Sequence, residues 1–166
     1  IFWATGAALM VRSEVYVQVG GLDSYFFAHM EEIDLCWRIH LAGYKIKAVM
    51  SSRAYHLGGG SLPASNPRKT YLNFRNNLFL LYKNLPLKEG KRLLFVRRLY
   101  DALSFFLFVA TFKWGSAKAV IHAHNDFRAM RHRYDGIQPE VNLLKTMPGA
   151  DRNIVIDYFL LGKRKF

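Results

Sequence analysis

Apolar residues recur at helical spacing in two stretches of the chain. Between residues 32 and 42 they follow one another at intervals of three and four, and Gly43 stands where a helix would end. A longer run, "RKTYLNFRNNLFLLYKNLP" (68–86), repeats the pattern and closes on Pro86. Because proline cannot continue a helix, this run predicts a second helix that stops before it.

Two other stretches carry the patterns of β-strands. Residues 5–12, "TGAALMVR", are mostly small and apolar, and residues 44–50, "YKIKAVM", alternate in character. A short helix with Ser13 as its N-cap should follow the first, before "GGLD" forms a tight turn. A loop rich in glycine, serine and proline (51–67) follows the second. The first half is therefore expected to be α/β.

The second half of the chain is basic and aromatic. Residues 83–166 hold sixteen Lys and Arg against seven Asp and Glu, a surplus of nine, whereas residues 1–82 have a surplus of three. Within "LYDALSFFLFVATFKWG" (99–115), residues 102–112 are an uninterrupted run of eleven, short of the roughly 20 that span a bilayer. Basic residues flank this run. It is typical of a helix at the membrane interface, and a buried helix is the alternative.

Composition narrows the class of protein. A chain of 166 residues with 51% apolar and 15% aromatic residues is folded, as one domain or one domain with an appendage. The single cysteine excludes an internal disulfide framework and fits a reducing compartment. The positive charge attracts polyanions, but no RNA-binding or helix-turn-helix signature occurs, so anionic lipid is favoured over nucleic acid. The chain starts without methionine inside a predicted strand, and we expect a preceding N-terminal part.

Residues 29–38, "HMEEIDLCWR", crowd three carboxylates into four positions: Glu31, Glu32 and Asp34. One explanation is a solvated helix start, where acids complement the helix dipole and cap free N–H groups. The other is a place where protons or cations are handled. The helix-start explanation is favoured for Asp34. Zinc bound by Cys36 and His40 is disfavoured, because a structural zinc needs four N or S ligands and the chain has no second cysteine.

Four segments together form a more specific pattern. In order they are "GAALMVR", "GGLDSYFFAHMEEIDLCWRIHLAGYKI", "YHLGGGS" and "FRNNLFLLYKNL". Their order and spacing resemble the C-terminal half of bacterial family-2 glycosyltransferases with the GT-A fold, rhamnosyltransferase-like enzymes included. The resemblance covers about residues 3–85. It implies an α/β fold, the C-terminal half of a GT-A (Rossmann-like) glycosyltransferase domain over residues 1–85. A mainly helical, basic and aromatic region over residues 86–166 would follow, associating with the membrane or packing on the domain.

The resemblance implies a reaction and a base. Such enzymes transfer a sugar from a nucleotide-sugar donor to an acceptor hydroxyl, usually with inversion and with a divalent metal, Mg or Mn. Their Glu-Asp motif supplies the general base and corresponds here to Glu31–Glu32, so Glu32 is implied as the base and Glu31 is the alternative. Inversion needs one base facing the anomeric carbon opposite the leaving diphosphate, and a carboxylate can fill that role.

The resemblance also implies contacts to substrate and metal. His56 would lie near the donor diphosphate and its metal, and a purely structural histidine is the alternative. Arg75 would donate to the diphosphate, with an exposed helix arginine as the alternative. Phe27 and Trp37 offer a sugar ring an apolar face to stack on. The remaining implied contacts are glycines and small residues beneath the donor sugar or beside its diphosphate: Gly6, Ala7, Gly59, Gly60 and Ser61.

The chain departs from the family in one respect. No Asp-x-Asp metal motif occurs in its 166 residues. The main metal ligand and the nucleotide pocket are therefore expected in a preceding part, and the chain alone is expected to be inactive. The expected setting is the cytoplasmic face of the cell membrane, with a glycan or lipid-linked acceptor for cell-surface polysaccharide. The alternative function is a non-catalytic module that binds the membrane surface or a polyanion.

Overall fold

A computed structural model describes residues 1–56, 66–146, 157–158 and 161–163. Within these ranges the chain forms five α-helices: α1 (Ser13–Gln18), α2 (Glu31–Leu41), α3 (Pro67–Asn84), α4 (Leu87–Ala110) and α5 (Trp114–Met130). Short 3-10 turns add to them at Gly6–Ala8, Arg131–Tyr134 and Leu143–Lys145.

Both helices predicted from apolar spacing are confirmed, as α2 and α3. The side chain of Asn66 accepts a hydrogen bond from the Arg68 N–H at 2.9 Å, and Pro67 fills the first helical position. Helix α3 ends where Leu85 takes the extended conformation that a following proline favours. Just beyond α2, Gly43 has a φ of +86°, which glycine adopts without steric cost.

The expectation of an α/β fold, and with it the C-terminal half of a GT-A (Rossmann-like) domain, is wrong for the described residues. They contain helices and irregular backbone but no β-strand. Residues 5–12 begin with a 3-10 turn, and residues 44–50 have no regular structure. A strand needs a neighbour to pair with its N–H and C=O groups. In the described ranges these two stretches exchange no ladder of backbone hydrogen bonds. Ile1, which precedes the first stretch, donates through its amino group to the Ile46 carbonyl at 2.9 Å.

Helix α3 contacts α2, α4 and α5 and is the helix around which the main core forms. Connections of two and three residues join α3 to α4 and α4 to α5, which is typical of antiparallel neighbours. The buried core cluster consists of Phe26, Trp37, Leu78, Phe79, Leu80, Tyr82, Leu85, Leu94, Phe127 and Tyr134. It draws residues from both sides of position 85. The division into units 1–85 and 86–166 stays a prediction.

Two glycines allow the helices of the bundle to approach closely. A Cβ atom at Gly90 would lie 3.4 Å from the carbonyl oxygen of Leu81, where α4 begins beside the end of α3. A Cβ atom at Gly115 would lie 2.8 Å from Cγ of Pro67, where α5 begins beside the start of α3. The second distance is too short for any real Cβ contact, so glycine is required at position 115 in this packing.

Most of the described residues of the basic second half lie in helices, chiefly α4 and α5. The apolar run 102–112 lies mostly within α4, whose buried positions are Gly90, Leu94 and Asp101. Much of the other side of this helix is exposed. Among the helices that the structure describes, none has the length and apolar character that crossing a bilayer requires.

Candidate active site

The two carboxylates predicted to act as base lie in the first turn of α2 and face a cleft of about 400 Å³. The other residues that line it are mainly apolar: Gly6, Leu9, Val11, Tyr16, Leu22 and Leu35. Oε2 of Glu31 and Oε2 of Glu32 are buried and have no hydrogen-bond partner in the part of the chain that the structure describes. A buried, unpartnered carboxylate oxygen is costly. These oxygens can therefore accept a proton, or a hydrogen bond from a substrate hydroxyl.

The surroundings of Glu31 favour its protonated form. Burial raises the pKa of Glu31 above its ordinary value of 4.5, and the charge of Glu32 acts in the same direction. A backbone hydrogen bond and nearby His29 oppose this shift without cancelling it. A carboxylate with a raised pKa is a stronger base once it is ionised.

Gly6 lies beside the carboxylates. A Cβ atom at position 6 would stand 3.7 Å from Cβ of Glu32, so this position borders the same cleft as the proposed base. Ala7 follows in the same 3-10 turn and is exposed. The structure thus brings together three of the predicted site residues: Gly6, Glu31 and Glu32.

The loop that leads into α2 has an unusual backbone. Phe27, His29 and Met30 have φ angles of 61°, 69° and 72°, in the left-handed region that non-glycine residues rarely occupy. Each such residue costs on the order of 1–3 kcal/mol and persists only when its surroundings enforce it. Contacts from outside the loop must therefore hold the backbone immediately before the two carboxylates.

Two adjacent residues of α3 provide those contacts. The amide nitrogen of Asn76 lies 2.7 to 2.8 Å from three carbonyl oxygens of the loop, those of Phe26, Ala28 and His29. Nη2 of Arg75 donates to the Tyr25 carbonyl at 2.8 Å. Nε and Nη2 of Arg75 also donate to Oδ1 of Asn76, at 3.0 and 2.8 Å, which fixes the orientation of that amide. Arg75 and Asn76, the loop clamp, hold the loop by its carbonyl groups.

Arg75 is therefore engaged by the protein itself. Only 8% of the residue is exposed, so the alternative of an exposed helix arginine is wrong. Its Nη1 donates to the Tyr71 hydroxyl at 3.2 Å, in addition to the bonds of the loop clamp. The contact to a donor diphosphate stays a prediction.

A charge-balanced network joins α2 to α3. Asp34 is fully buried, and its Oδ2 accepts from Lys83 at 2.9 Å and from Arg38 at 2.7 Å. Its Oδ1 accepts from the Asn84 amide at 2.8 Å. Lys83 also donates to Asp23 at 2.7 Å, so two carboxylates face two cations. A lone buried ion would cost several kcal/mol, and this pairing offsets that cost.

Asp34 lies in the first turn of α2, as the helix-start explanation predicts. It is buried rather than solvated, however, and it makes no capping hydrogen bond. Capping needs a free backbone N–H within reach of the side chain. The carboxylate of Asp34 points instead to the side chains of Arg38, Lys83 and Asn84.

The same network fixes the "GG" turn before the loop. The guanidinium of Arg38 donates to the carbonyl of Gly21 at 2.7 Å and to that of Val19. Asp23, two residues beyond the turn, also accepts from the Tyr134 hydroxyl at 3.0 Å. Burial acts to raise the pKa of Asp23, but hydrogen bonds and the charge of Lys83 outweigh it and hold this pKa below 3.8.

Among the remaining predicted residues, those that the structure describes are not gathered at the cleft. Trp37 is buried and packs edge-on against Phe2, with ring centroids 5.1 Å apart, so it belongs to the core. Phe27 is 67% exposed, and the guanidinium of Arg68 lies 5.1 Å from its ring centroid. Gly59, Gly60 and Ser61 lie outside the described residues.

His56, the predicted metal ligand, is exposed. In the described ranges, no three side chains from His, Cys, Asp and Glu are placed to hold a metal ion. These residues therefore do not supply a ligand set for Mg or Mn, which prefer several oxygen ligands. The role of His56 stays a prediction.

Sequence reasoning missed Asn76 and Lys83. Positions 72, 76, 79 and 83 are four, three and four apart and so share one face of α3. Two of them, Leu72 and Phe79, are apolar and buried. A polar residue on an otherwise apolar face signals a buried hydrogen-bond partner, and this signal could have identified both.

The chain is similar to rhamnosyltransferases over a short segment. It is 39% identical over 54 residues to the rhamnosyltransferase WbbL of Escherichia coli (strain K12), which covers 32% of this chain and 20% of that protein. The same identity over 54 residues relates it to the N-acetylglucosaminyl-diphospho-decaprenol L-rhamnosyltransferase of Mycobacterium tuberculosis (strain H37Rv), of which 18% is covered. The match thus spans about a fifth of the length of these curated relatives. No protein-family model matches the chain, and no solved structure does. These similarities support a relationship to glycosyltransferases.

Proposed function

We propose that the chain supplies the acceptor and base side of an inverting family-2 glycosyltransferase. The donor would be a nucleotide-sugar and the acceptor a hydroxyl of a glycan or lipid-linked saccharide in cell-surface polysaccharide synthesis. The observation that carries this proposal is the pair of carboxylates with buried, unpartnered oxygens on one cleft. Because these relatives are rhamnosyltransferases, L-rhamnose is the first sugar to test.

In the proposed reaction Glu32 accepts the proton of the acceptor hydroxyl. The hydroxyl oxygen forms a bond to the anomeric carbon while the bond from that carbon to the diphosphate breaks, and the electron pair leaves with the diphosphate. Glu31 is the alternative base, and its raised pKa fits that role.

A divalent metal, Mg or Mn, remains part of the proposal without a defined site. When bound, such an ion would stabilise the charge of the leaving diphosphate. The described residues offer His56 but no cluster of ligands, and no Asp-x-Asp motif occurs in the sequence. No step of the proposed proton transfer depends on the ion.

The test replaces each carboxylate by its amide in the protein that carries this chain. Transfer would be measured from nucleotide-activated L-rhamnose to a polyprenol-diphosphate-linked N-acetylglucosamine. Glu32→Gln should lower turnover by about 10²–10⁴-fold, as loss of a general base does. Folding and donor binding should be retained, and the exposed Glu140→Gln is the matched control. If only Glu31→Gln lowers turnover, Glu31 is the base; if both variants keep wild-type turnover, the proposal is wrong.

The alternative function is a non-catalytic module that binds a membrane surface or a polyanion. The exposed apolar and basic side of α4 favours it. In that case Glu31 and Glu32 would be dispensable, and neither amide variant would change any measured activity. The turnover assay therefore separates the two functions.

A further inference from the structure

Four large apolar side chains of α4 lie exposed on one side of the helix. Phe95, Leu99, Leu103 and Phe106 are 62%, 58%, 67% and 66% exposed. Their spacings of four, four and three residues place them on a common face. At 1.5 Å per residue this α4 stripe is about 17 Å long. Isolated exposed apolar residues are ordinary, but a continuous row marks an interaction surface.

Buried contacts on the opposite side fix the orientation of the stripe. Leu94 is 3% exposed and belongs to the main core. Asp101 is 1% exposed, and its two oxygens accept from Arg97 at 2.7 Å and from His124 of α5 at 3.0 Å. Rotating α4 to bury the stripe would bring the Asp101 carboxylate to the surface and break its contact with His124 of α5. The described residues of the chain therefore leave the stripe without a partner.

Cations flank the stripe at both ends. Lys88 and Arg92 are exposed on the same face, two turns and one turn before Phe95, respectively. Beyond the other end of α4, Lys113 is exposed, and two exposed aromatic residues stand beside it: Phe112 at 79% and Trp114 at 56%.

No unpaired carboxylate offsets these cations between residues 88 and 114, all of which the structure describes. Asp101 is buried among its partners. Glu89 is bonded to Lys145 and to Asn142, and these hydrogen bonds hold its pKa below the ordinary value. This side of the molecule thus combines a continuous apolar row with uncompensated positive charge.

We propose that the α4 stripe docks the protein on the surface of an anionic lipid bilayer. The helix lies parallel to the surface, with the four apolar side chains in the boundary between headgroups and acyl chains. Lys88, Arg92 and Lys113 meet lipid phosphates, and Trp114 sits at headgroup depth. An apolar protein partner would match the stripe but would leave the cations at both ends unmatched. The docking does not rest on the proposed sugar transfer, because it involves no residue of the cleft.

The test is co-sedimentation of the 166-residue chain with vesicles of phosphatidylcholine, with and without phosphatidylglycerol. We expect binding to the anionic vesicles and at least tenfold weaker binding by Leu99→Glu/Leu103→Glu. Lys88→Gln/Arg92→Gln should weaken binding to anionic vesicles by about fivefold per charge, with little change on neutral ones. The matched control is Val17→Glu/Ile137→Glu, which alters exposed apolar residues elsewhere and should bind like wild type.

Several outcomes would overturn the proposal. These are absence of binding to anionic vesicles at low salt, and equal loss of binding in the stripe variant and its control. A third is a wild-type dimer in sedimentation equilibrium that the stripe variant abolishes, combined with no vesicle binding; the stripe would then join two copies of the chain. Circular dichroism checks the fold of each variant. Phe106→Ser, a milder change at an exposed position, replaces the double variant if the latter unfolds.

Discussion

At the scale of single residues, the loop clamp decides where the carboxylates lie. Three non-glycine residues of the loop hold positive φ angles, and the backbone would relax toward ordinary conformations if its carbonyl groups were released. Asn76 is fully buried and contacts three of those carbonyl groups. The placement of Glu31 and Glu32 therefore depends on an amide that lies on another helix.

Replacing Asn76 by alanine should release the loop. Asn76→Ala leaves buried carbonyl groups without donors, which costs about 1–3 kcal/mol per unsatisfied group. We expect a loss of about 2–3 kcal/mol in the free energy of unfolding, measured with urea. Faster amide hydrogen exchange should be confined to residues 24–30. Asn77→Ala removes the same amide at the next position and is the control; equal losses in both variants would contradict the clamp.

The ionised form of Glu31 should destabilise the folded chain, because burial favours the protonated form. Its pKa in the folded chain is raised above the unfolded value, so its contribution to stability is complete below about pH 4.5 and is lost as the pH rises through the folded pKa. Glu31→Gln keeps a neutral side chain at every pH. The variant should therefore have a higher Tm than wild type at pH 7 and a smaller difference at pH 4.

Thermal denaturation at both pH values measures this difference, with Glu140→Gln as the exposed control. An equal Tm difference at the two pH values would contradict a raised pKa at Glu31.

At the scale of elements, successive positions of α3 make different contacts. Residues 75 and 76 hold the loop before α2, residues 83 and 84 hold Asp34 within α2, and apolar residues between them fill the core. The contacts of α3 with α4 and α5 in turn depend on close approach at two glycines.

Those two glycines should respond differently to alanine. At Gly115 the added Cβ meets the rigid ring of Pro67 at 2.8 Å, and Gly115→Ala should destabilise the fold by about 1–3 kcal/mol through overpacking. At Gly90 the nearest atom is 3.4 Å away, and alanine gains up to about 1 kcal/mol of helix propensity. Gly90→Ala should therefore be nearly neutral. Urea unfolding of the two variants compares them, and a neutral Gly115→Ala would contradict the close contact.

Helices α2 and α3 could be predicted because their signals are local. Apolar spacing, a proline and a glycine all lie within or next to each helix. The strands predicted at residues 5–12 and 44–50 failed for the opposite reason. A strand is defined by its partner, and no pattern within eight residues reveals whether that partner is present.

The candidate site was only partly predictable for a similar reason. Glu31 and Glu32 could be singled out because the acids are adjacent in sequence and match a recognisable pattern. The residues that position them are 40 to 50 positions away, and the sequence gives no distance between Asn76 and the carbonyl groups of residues 26–29. Asp34 illustrates the same limit, since its partners Lys83 and Asn84 are 49 and 50 positions away.

At the scale of the whole molecule, charge is distributed according to burial. The buried carboxylates Asp23 and Asp34 are matched by Lys83 and Arg38, so the interior of the first half carries no net charge from this network. Most of the described Lys and Arg residues of the range 83–166 are exposed, and three of them, Lys88, Arg92 and Lys113, lie near the ends of the α4 stripe. A strongly positive sequence can thus contain a charge-matched buried network while its other cations are exposed and able to act on a partner.

The sharing of α3 between the loop clamp and the bundle core has a consequence for the lifetime of the site. If the loop opened alone, Arg75 and Asn76 would have to break their hydrogen bonds to its carbonyl groups while α3 stayed packed against α4 and α5. The loop and the bundle are instead expected to melt as one cooperative unit. The half-life of the cleft at elevated temperature would then equal that of the fold, and strengthening a distant contact in the bundle would prolong both.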